Sequence, residues 1–99
     1  MLHIEKTVEN GKAAIRLEGR LDTMTAPELE QAVKELPQDV QTLTLDLEKL
    51  EYVSSAGLRV LLSAHKALAA AGGMKVSHVG ETVAEIFEIT GFADILDIE

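Results

Sequence analysis

The chain contains no cysteine, which excludes disulfide scaffolds, thiolate zinc sites, iron–sulfur clusters and cysteine nucleophiles. A cysteine-free composition fits a reducing compartment. Long apolar runs are also missing. Each hydrophobic stretch is broken by a polar residue or glycine within a few positions, so no bilayer-spanning helix is expected. The opening residues Met1-Leu2-His3-Ile4-Glu5 have neither the cationic nor the apolar region of a signal peptide. The expected location is a bacterial-type cytoplasm. Basic residues are scarce: nine Lys and Arg stand against 17 Asp and Glu. The resulting net charge of −8 opposes binding to nucleic-acid backbones and to anionic membranes, both of which need clustered cations. His3, His65 and His78 are scattered and show no metal-ligand spacing, so no metal site is expected. No Gly-rich phosphate loop occurs, neither Gly-x4-Gly-Lys-Ser/Thr nor Gly-x-Gly-x-x-Gly. No cofactor is expected, and any ATP must come with a partner.

What is present points to one globular domain over residues 1–99. Hydrophobic residues make up 46% and charged residues 26%, too balanced for a disordered chain. Surface scaling for this size buries roughly 65% of the unfolded area, enough for one modest core without staples.

Leu2, Ile4 and Val8 alternate with polar residues, as do Ala13, Ile15 and Leu17. Asn10-Gly11 lies between them, a dipeptide that tolerates positive φ at both central turn positions. This predicts a hairpin whose second strand ends at Gly19. Thr25-Ala26-Pro27-Glu28 fits a capping box, with Thr25 as N-cap and Glu28 at N3. Leu29, Ala32, Val33 and Leu36 then share a helical stripe, and Pro37 stops the helix. A strand follows over 42–47, then a connection over 48–54. A second helix is expected from about Ser55 to Ala71, with Leu58, Leu61, Leu62, His65 and Leu68 at helical spacing, ended by Gly72-Gly73. Met74, Val76 and His78 suggest another strand. Residues 81–90 read as a helix burying Val83, Ile86 and Phe87, with Gly91 as C-cap, and 95–98 as a short last strand.

The order β-β-α-β-α-β-α-β implies an α/β fold with a mixed, mostly parallel sheet of four or five strands. The strands alternate, whereas strands covered on both faces would be apolar throughout. All helices are therefore expected on one face of the sheet.

The most informative stretch runs Leu45-Asp46-Leu47-Glu48-Lys49-Leu50-Glu51-Tyr52-Val53-Ser54-Ser55-Ala56-Gly57-Leu58-Arg59-Val60-Leu61-Leu62. It resembles the signature of the STAS domain, a family named for sulphate transporters and anti-sigma factor antagonists. Gly19-Arg20-Leu21-Asp22-Thr23-Met24-Thr25-Ala26 resembles the family's segment before its first helix, and a third match runs from Gly80-Glu81 through Phe87-Glu88-Ile89-Thr90-Gly91-Phe92. Three such segments in the right order cover nearly the whole chain. The resemblance implies a partner-switching anti-sigma factor antagonist. Its partners would be an anti-sigma factor acting as serine kinase and, as a further candidate, a serine phosphatase. It implies phosphorylation of the hydroxyl residue before Gly57-Leu58, which falls on Ser55, with Ser54 as the alternative. Ser54 stands where the family commonly has Asp, and Ala56 where a second Ser is frequent. The resemblance further implies a partner surface of Asp22, Thr23, Ser54, Ser55, Ala56, Gly57 and Arg59. The alternative is a STAS subunit of a structural or transport-associated complex, in which the serine is a contact or cap without phosphorylation turnover.

The residues themselves allow the same reading. Ser55 would sit in the first turn of a helix, where amides lack partners and the dipole is positive, so a phosphate would be stabilised there. Arg59, one turn later, could pair with it. Against this, either serine could be a plain N-cap, and Asp22-Thr23 a mere turn. Asp46 most simply ends a strand and fastens the next loop. An enzyme is not expected, because the nucleophile elbow Gly-x-Ser-x-Gly lacks its first glycine around Ser55.

Overall fold

The computed structural model describes all residues from Met1 to Glu99. Strands β1 (Leu2–Glu9) and β2 (Lys12–Leu21) form the hairpin. Asn10 and Gly11 take φ of 51° and 77°, as the Asn-Gly turn requires. Helix α1 (Ala26–Lys34), β3 (Thr42–Val53), α2 (Ser55–Ala69), β4 (Gly73–Ser77), α3 (Glu81–Thr90), a 3-10 turn (Phe92–Asp94) and β5 (Asp97–Ile98) follow. The strands lie in the order β1-β2-β3-β4-β5. The first pair is antiparallel and the others are parallel.

One face of this sheet is covered. Ala13, Ile15 and Leu17 of β2, Leu43, Leu45 and Leu47 of β3, and Met74 and Val76 of β4 are buried. They share one cluster with Leu29 of α1, Leu58, Leu61 and Leu68 of α2, and Val83 and Phe87 of α3. The alternate side chains of the same strands, Lys12, Arg16, Glu18 and Lys75, are exposed. The period-two pattern thus places all three helices on one side, as expected, and leaves a polar sheet face open.

Several boundaries differ from the sequence reading. Strand β2 continues past Gly19 to Leu21. Residues 48–53, expected as a connection, extend β3 to twelve residues. The register against β2 slips by one residue after Arg16↔Asp46 and again after Gly19↔Leu50. Each slip is a bulge on β3 that turns the side-chain order over by one position. The buried residues therefore run Leu47, Leu50, Val53, at a spacing of three, and no alternation remains to be seen. Asp46 does not end the strand. Its Oδ1 accepts from the Glu48 amide at 3.0 Å, beside the first slip, where the ladder is interrupted.

Helix α2 stops at Ala69 with Ala70 as C-cap, two residues before the expected end. Gly72 serves packing instead. Its amide donates to the Gln41 carbonyl at 2.6 Å, and a Cβ there would lie 2.7 Å from the same oxygen. Helix α3 ends as expected, with Gly91 left-handed at φ 83°. His78 lies beyond β4, and the last strand is only Asp97–Ile98.

The covered face carries the stability. Leu45→Ala should cost about 2–5 kcal/mol in denaturant unfolding, as large-to-small changes in a closed core do. Lys75→Ala on the open face should stay within about 0.5 kcal/mol of the parent.

Candidate functional site

The C-terminal ends of β2 and β3 lie side by side, with Leu21 in register with Val53. Both chains leave the sheet there, which is where parallel α/β sheets place their sites. The Ser54 amide donates to the Leu21 carbonyl at 2.8 Å, tying the start of α2 to the end of β2. Gly57 completes the approach. A Cβ on it would lie 2.7 Å from Leu21 Cγ and 3.0 Å from the Leu21 carbonyl oxygen. Only hydrogen fits, so the glycine sets how closely the first turn of α2 can approach β2.

Ser54 is the N-cap of α2, with extended backbone, and its Oγ accepts from the Gly57 amide at 3.2 Å. The Leu58 amide closes the first helical bond to the Ser54 carbonyl at 2.8 Å. Ser55 is the first helical residue. It is exposed and its hydroxyl makes no hydrogen bond within the protein, whereas Ser54 is half-buried. The Ser55 and Ala56 amides, in the first turn, have no intrahelical acceptor. Arg59 lies one turn on, exposed, and none of the molecule's ion pairs uses it.

Across from this turn lies the loop from β2 into α1. Thr25 does not cap α1 as the capping-box pattern suggests; its side chain makes no cap bond. It is buried and faces backwards, with Oγ1 donating to the Arg20 carbonyl and accepting from the Asp22 amide, each at 2.8 Å. Asp22 Oδ1 in turn accepts from the Met24 amide at 3.0 Å and the Thr25 amide at 3.1 Å. The Thr25 amide, together with the Thr25 hydroxyl and the Met24 amide, holds the Asp22 carboxyl below its ordinary range, against the opposite push of partial burial. The loop is therefore a fixed turn. It leaves Thr23 and Met24 exposed, and Met24 is 83% exposed, large and apolar. Sequence reasoning gave Met24 no role; an apolar residue two places after an Asp turn was the available signal.

A hollow of about 370 Å³ separates the two parts, lined by Thr23, Ala26 and Pro27 on one side and Ala56, Arg59 and Val60 on the other. It continues between α1 and α2 into an apolar cleft of about 360 Å³, sharing Glu30, Val60 and Ser63 with it. The structure thus brings Thr23, Ala56 and Arg59 to one hollow. Ser54 and Gly57 are tied to Leu21 at its end, and Asp22 acts from within the loop. At the same sheet end Arg20 stacks over Tyr52, 4.5 Å from the ring centroid.

Folding also gathers a group that spacing did not reveal. Asp46, Glu48 and His78 each bring a possible metal-ligand atom within 4.8 Å of the others, on the open face. The group is already partnered: His78 Nδ1 is 3.2 Å from Asp46 Oδ1, and Arg16 Nε is 3.8 Å from Asp46 Oδ2. Its geometry serves to tie β2, β3 and the end of β4 together.

A lowered carboxyl pKa makes the loop acid-sensitive. Asp22 is depressed in the folded state, so its stabilising contribution is complete above the unfolded value and is lost as pH falls through the folded one. NMR titration of the Asp22 side chain should give a midpoint below the ordinary 3.8. The stability gap between the parent and Asp22→Asn should be constant at neutral pH and narrow in acid below that value.

The chain matches the STAS domain family over residues 3–99. It is 30% identical over 99 residues to an anti-sigma-B factor antagonist of Staphylococcus aureus, covering 98% of this chain and 92% of that protein. Its fold superposes on the crystal structure of an anti-sigma factor antagonist from Mycobacterium paratuberculosis with a TM-score of 0.87 and 25% identity, covering 99% of this chain and 85% of that one. It superposes on the Bacillus cell fate determinant SpoIIAA, solved in its phosphorylated form, with a TM-score of 0.73 at 20% identity over 100% of this chain and 91% of that one. By its sequence, its five-stranded sheet and its one-sided helix layer, the chain belongs to the STAS domain family.

Proposed function

We propose that this protein is an anti-sigma factor antagonist whose binding to an anti-sigma factor is switched by phosphorylation of Ser55. The observation that carries the reading is the contrast between the two serines. Ser54 Oγ is engaged with the Gly57 amide, while Ser55, one residue on, is exposed with its hydroxyl unengaged. A phosphate on Ser55 would meet the unpaired amides and positive dipole end of α2, with Arg59 in reach. The helix would be kept and no refolding is needed.

The partner would meet something different. The rigid Asp22–Thr25 loop and the α2 start form one preformed surface, which suits binding with little ordering cost. In the unmodified protein this surface presents Thr23, Met24, Ala56 and a small hydroxyl. Phosphorylation adds about −1.5 to −2 charges at the start of α2. Burying that added charge against a partner face shaped for a neutral hydroxyl, or against a like charge, costs several kcal/mol, and about 1.4 kcal/mol is already tenfold in affinity. The anti-sigma factor would supply the kinase activity and its ATP, and a serine phosphatase would reset the switch. No helix is long and apolar enough to cross a membrane, and we infer a cytoplasmic site of action.

A binding role is also favoured over catalysis by the serines themselves. Ser54 is consumed as a cap and neither hydroxyl is hydrogen-bonded to a histidine, so the pair lacks the nucleophile–base contact of a hydrolase.

The test is incubation with the host's anti-sigma kinase and ATP, read by intact mass. The parent should gain one phosphate, Ser55→Ala none, and Ser54→Ala should still gain it while losing about 1 kcal/mol of stability with its cap. The phosphorylated parent should bind that kinase at least a hundredfold more weakly than the unmodified one. Loss of the mass gain in Ser54→Ala alone would move the acceptor to Ser54. Equal affinity of the two forms would refute the switch.

A further inference from the structure

Charge is unevenly distributed along the chain. No acidic residue occurs between Tyr52 and Gly80, and no basic residue follows His78, while Glu81, Glu85, Glu88, Asp94, Asp97 and Glu99 all lie in the last stretch. That stretch forms α3, the 3-10 turn and β5. It is held to the core by Val83, Phe87 and Leu96, so its outer side is what a partner meets. The same segment exposes three aliphatic side chains: Ile89 at 79%, Ile95 at 44% and Ile98 at 37%.

The arrangement within α3 runs against local stability. Glu85 and Glu88 are three apart and repel, and Glu85 sits one turn before Ile89 on the exposed side. Glu88 lies near the negative end of the helix dipole, and no basic residue occupies the last turn. An exposed isoleucine beside these charges adds nothing to the fold. Uncompensated departures from local rules of this kind are expected where a surface serves a partner.

From this we infer that the α3–β5 side of the domain is a second docking surface, and that its occupant is a basic amphipathic segment of a partner protein. A cationic partner would relieve both the Glu85–Glu88 repulsion and the dipole mismatch, and its apolar side would cover Ile89. A two-fold pairing of this chain suits the surface poorly, because like-charged faces would meet. The surface is also separate from the Ser55 site. Ser55 follows the C-terminal end of β3, whereas Glu88 and Ile89 lie in the last turn of α3, which returns towards the N-terminal end of the sheet before β5 pairs in parallel with β4.

The probe is a 15-residue Lys/Leu amphipathic helical peptide, titrated into the full-length 15N-labelled protein, with a Glu/Leu peptide and oligolysine as controls. Shift changes should saturate at one peptide per chain and be confined to residues 81–99. Affinity should fall with added salt. Ile89→Ser should weaken binding at least tenfold with its melting temperature unchanged. Glu88→Lys should also weaken it at least tenfold while raising the melting temperature, which a merely damaged fold would not do. Oligolysine should bind at least tenfold more weakly than the amphipathic peptide. Shifts scattered over the acidic residues of β1 and β2, or unaltered affinity in Ile89→Ser, would overturn the inference. Concentration-dependent dimerisation abolished by Ile89→Ser would also overturn it, by making a second copy the occupant.

Discussion

The contact between Gly57 and Leu21 determines where the candidate site can be. A Cβ at Gly57 would fall 2.7 Å from Leu21 Cγ, so any other residue would push the first turn of α2 away from β2. With glycine in place, the Ser54 amide reaches the Leu21 carbonyl and the Ser54 hydroxyl turns inward to cap the helix. The next residue, Ser55, is left exposed to solvent, while Ala56 and Arg59 of the same turn face the hollow beside the fixed Asp22–Thr25 loop. Packing, capping and accessibility are thus one arrangement: the interaction that anchors the helix also decides which of two adjacent serines is available.

The sheet's asymmetry supports that arrangement. All three helices pack on one side, and their shared core fixes the ends of β2 and β3 from which the site is built. The open side is held by more exposed interactions, among them Arg16 and His78 around Asp46 and the stacking of Arg20 on Tyr52. Exposed ion pairs of this kind contribute little. Stability therefore resides under the helices. The two surfaces read as partner sites, the α2 start and the outer side of α3, lie outside that core and can change charge without unpacking it.

Much of this was legible in the sequence because the signals were local. The Asn10-Gly11 turn, the alternation through Ile15 and Leu45, and Gly91 as a left-handed cap each depend on residues a few positions apart. The family segments around Ser55 pointed to the start of α2, where the proposed site lies. Less legible were the features created by tertiary contact. The second half of β3 was concealed by two bulges that changed the burial spacing from two to three. Thr25 matched a capping box, but its hydroxyl was claimed by the Arg20 carbonyl upstream. His78 met Asp46 across 32 residues. The choice between Ser54 and Ser55 as the free hydroxyl needed the cap geometry, since either serine suits a helix start.

The central claim is that Ser55 stands on a preformed surface that can accept a phosphate without rearranging the fold. The most direct test compares amide spectra of the unmodified protein and of protein carrying phosphoserine at position 55. Shift changes confined to the Asp22–Thr25 loop and the first two turns of α2, with the signals of Ile15, Leu45 and Phe87 unmoved, are the predicted result. Changes spread through those core residues, or loss of the α2 signals, would contradict it.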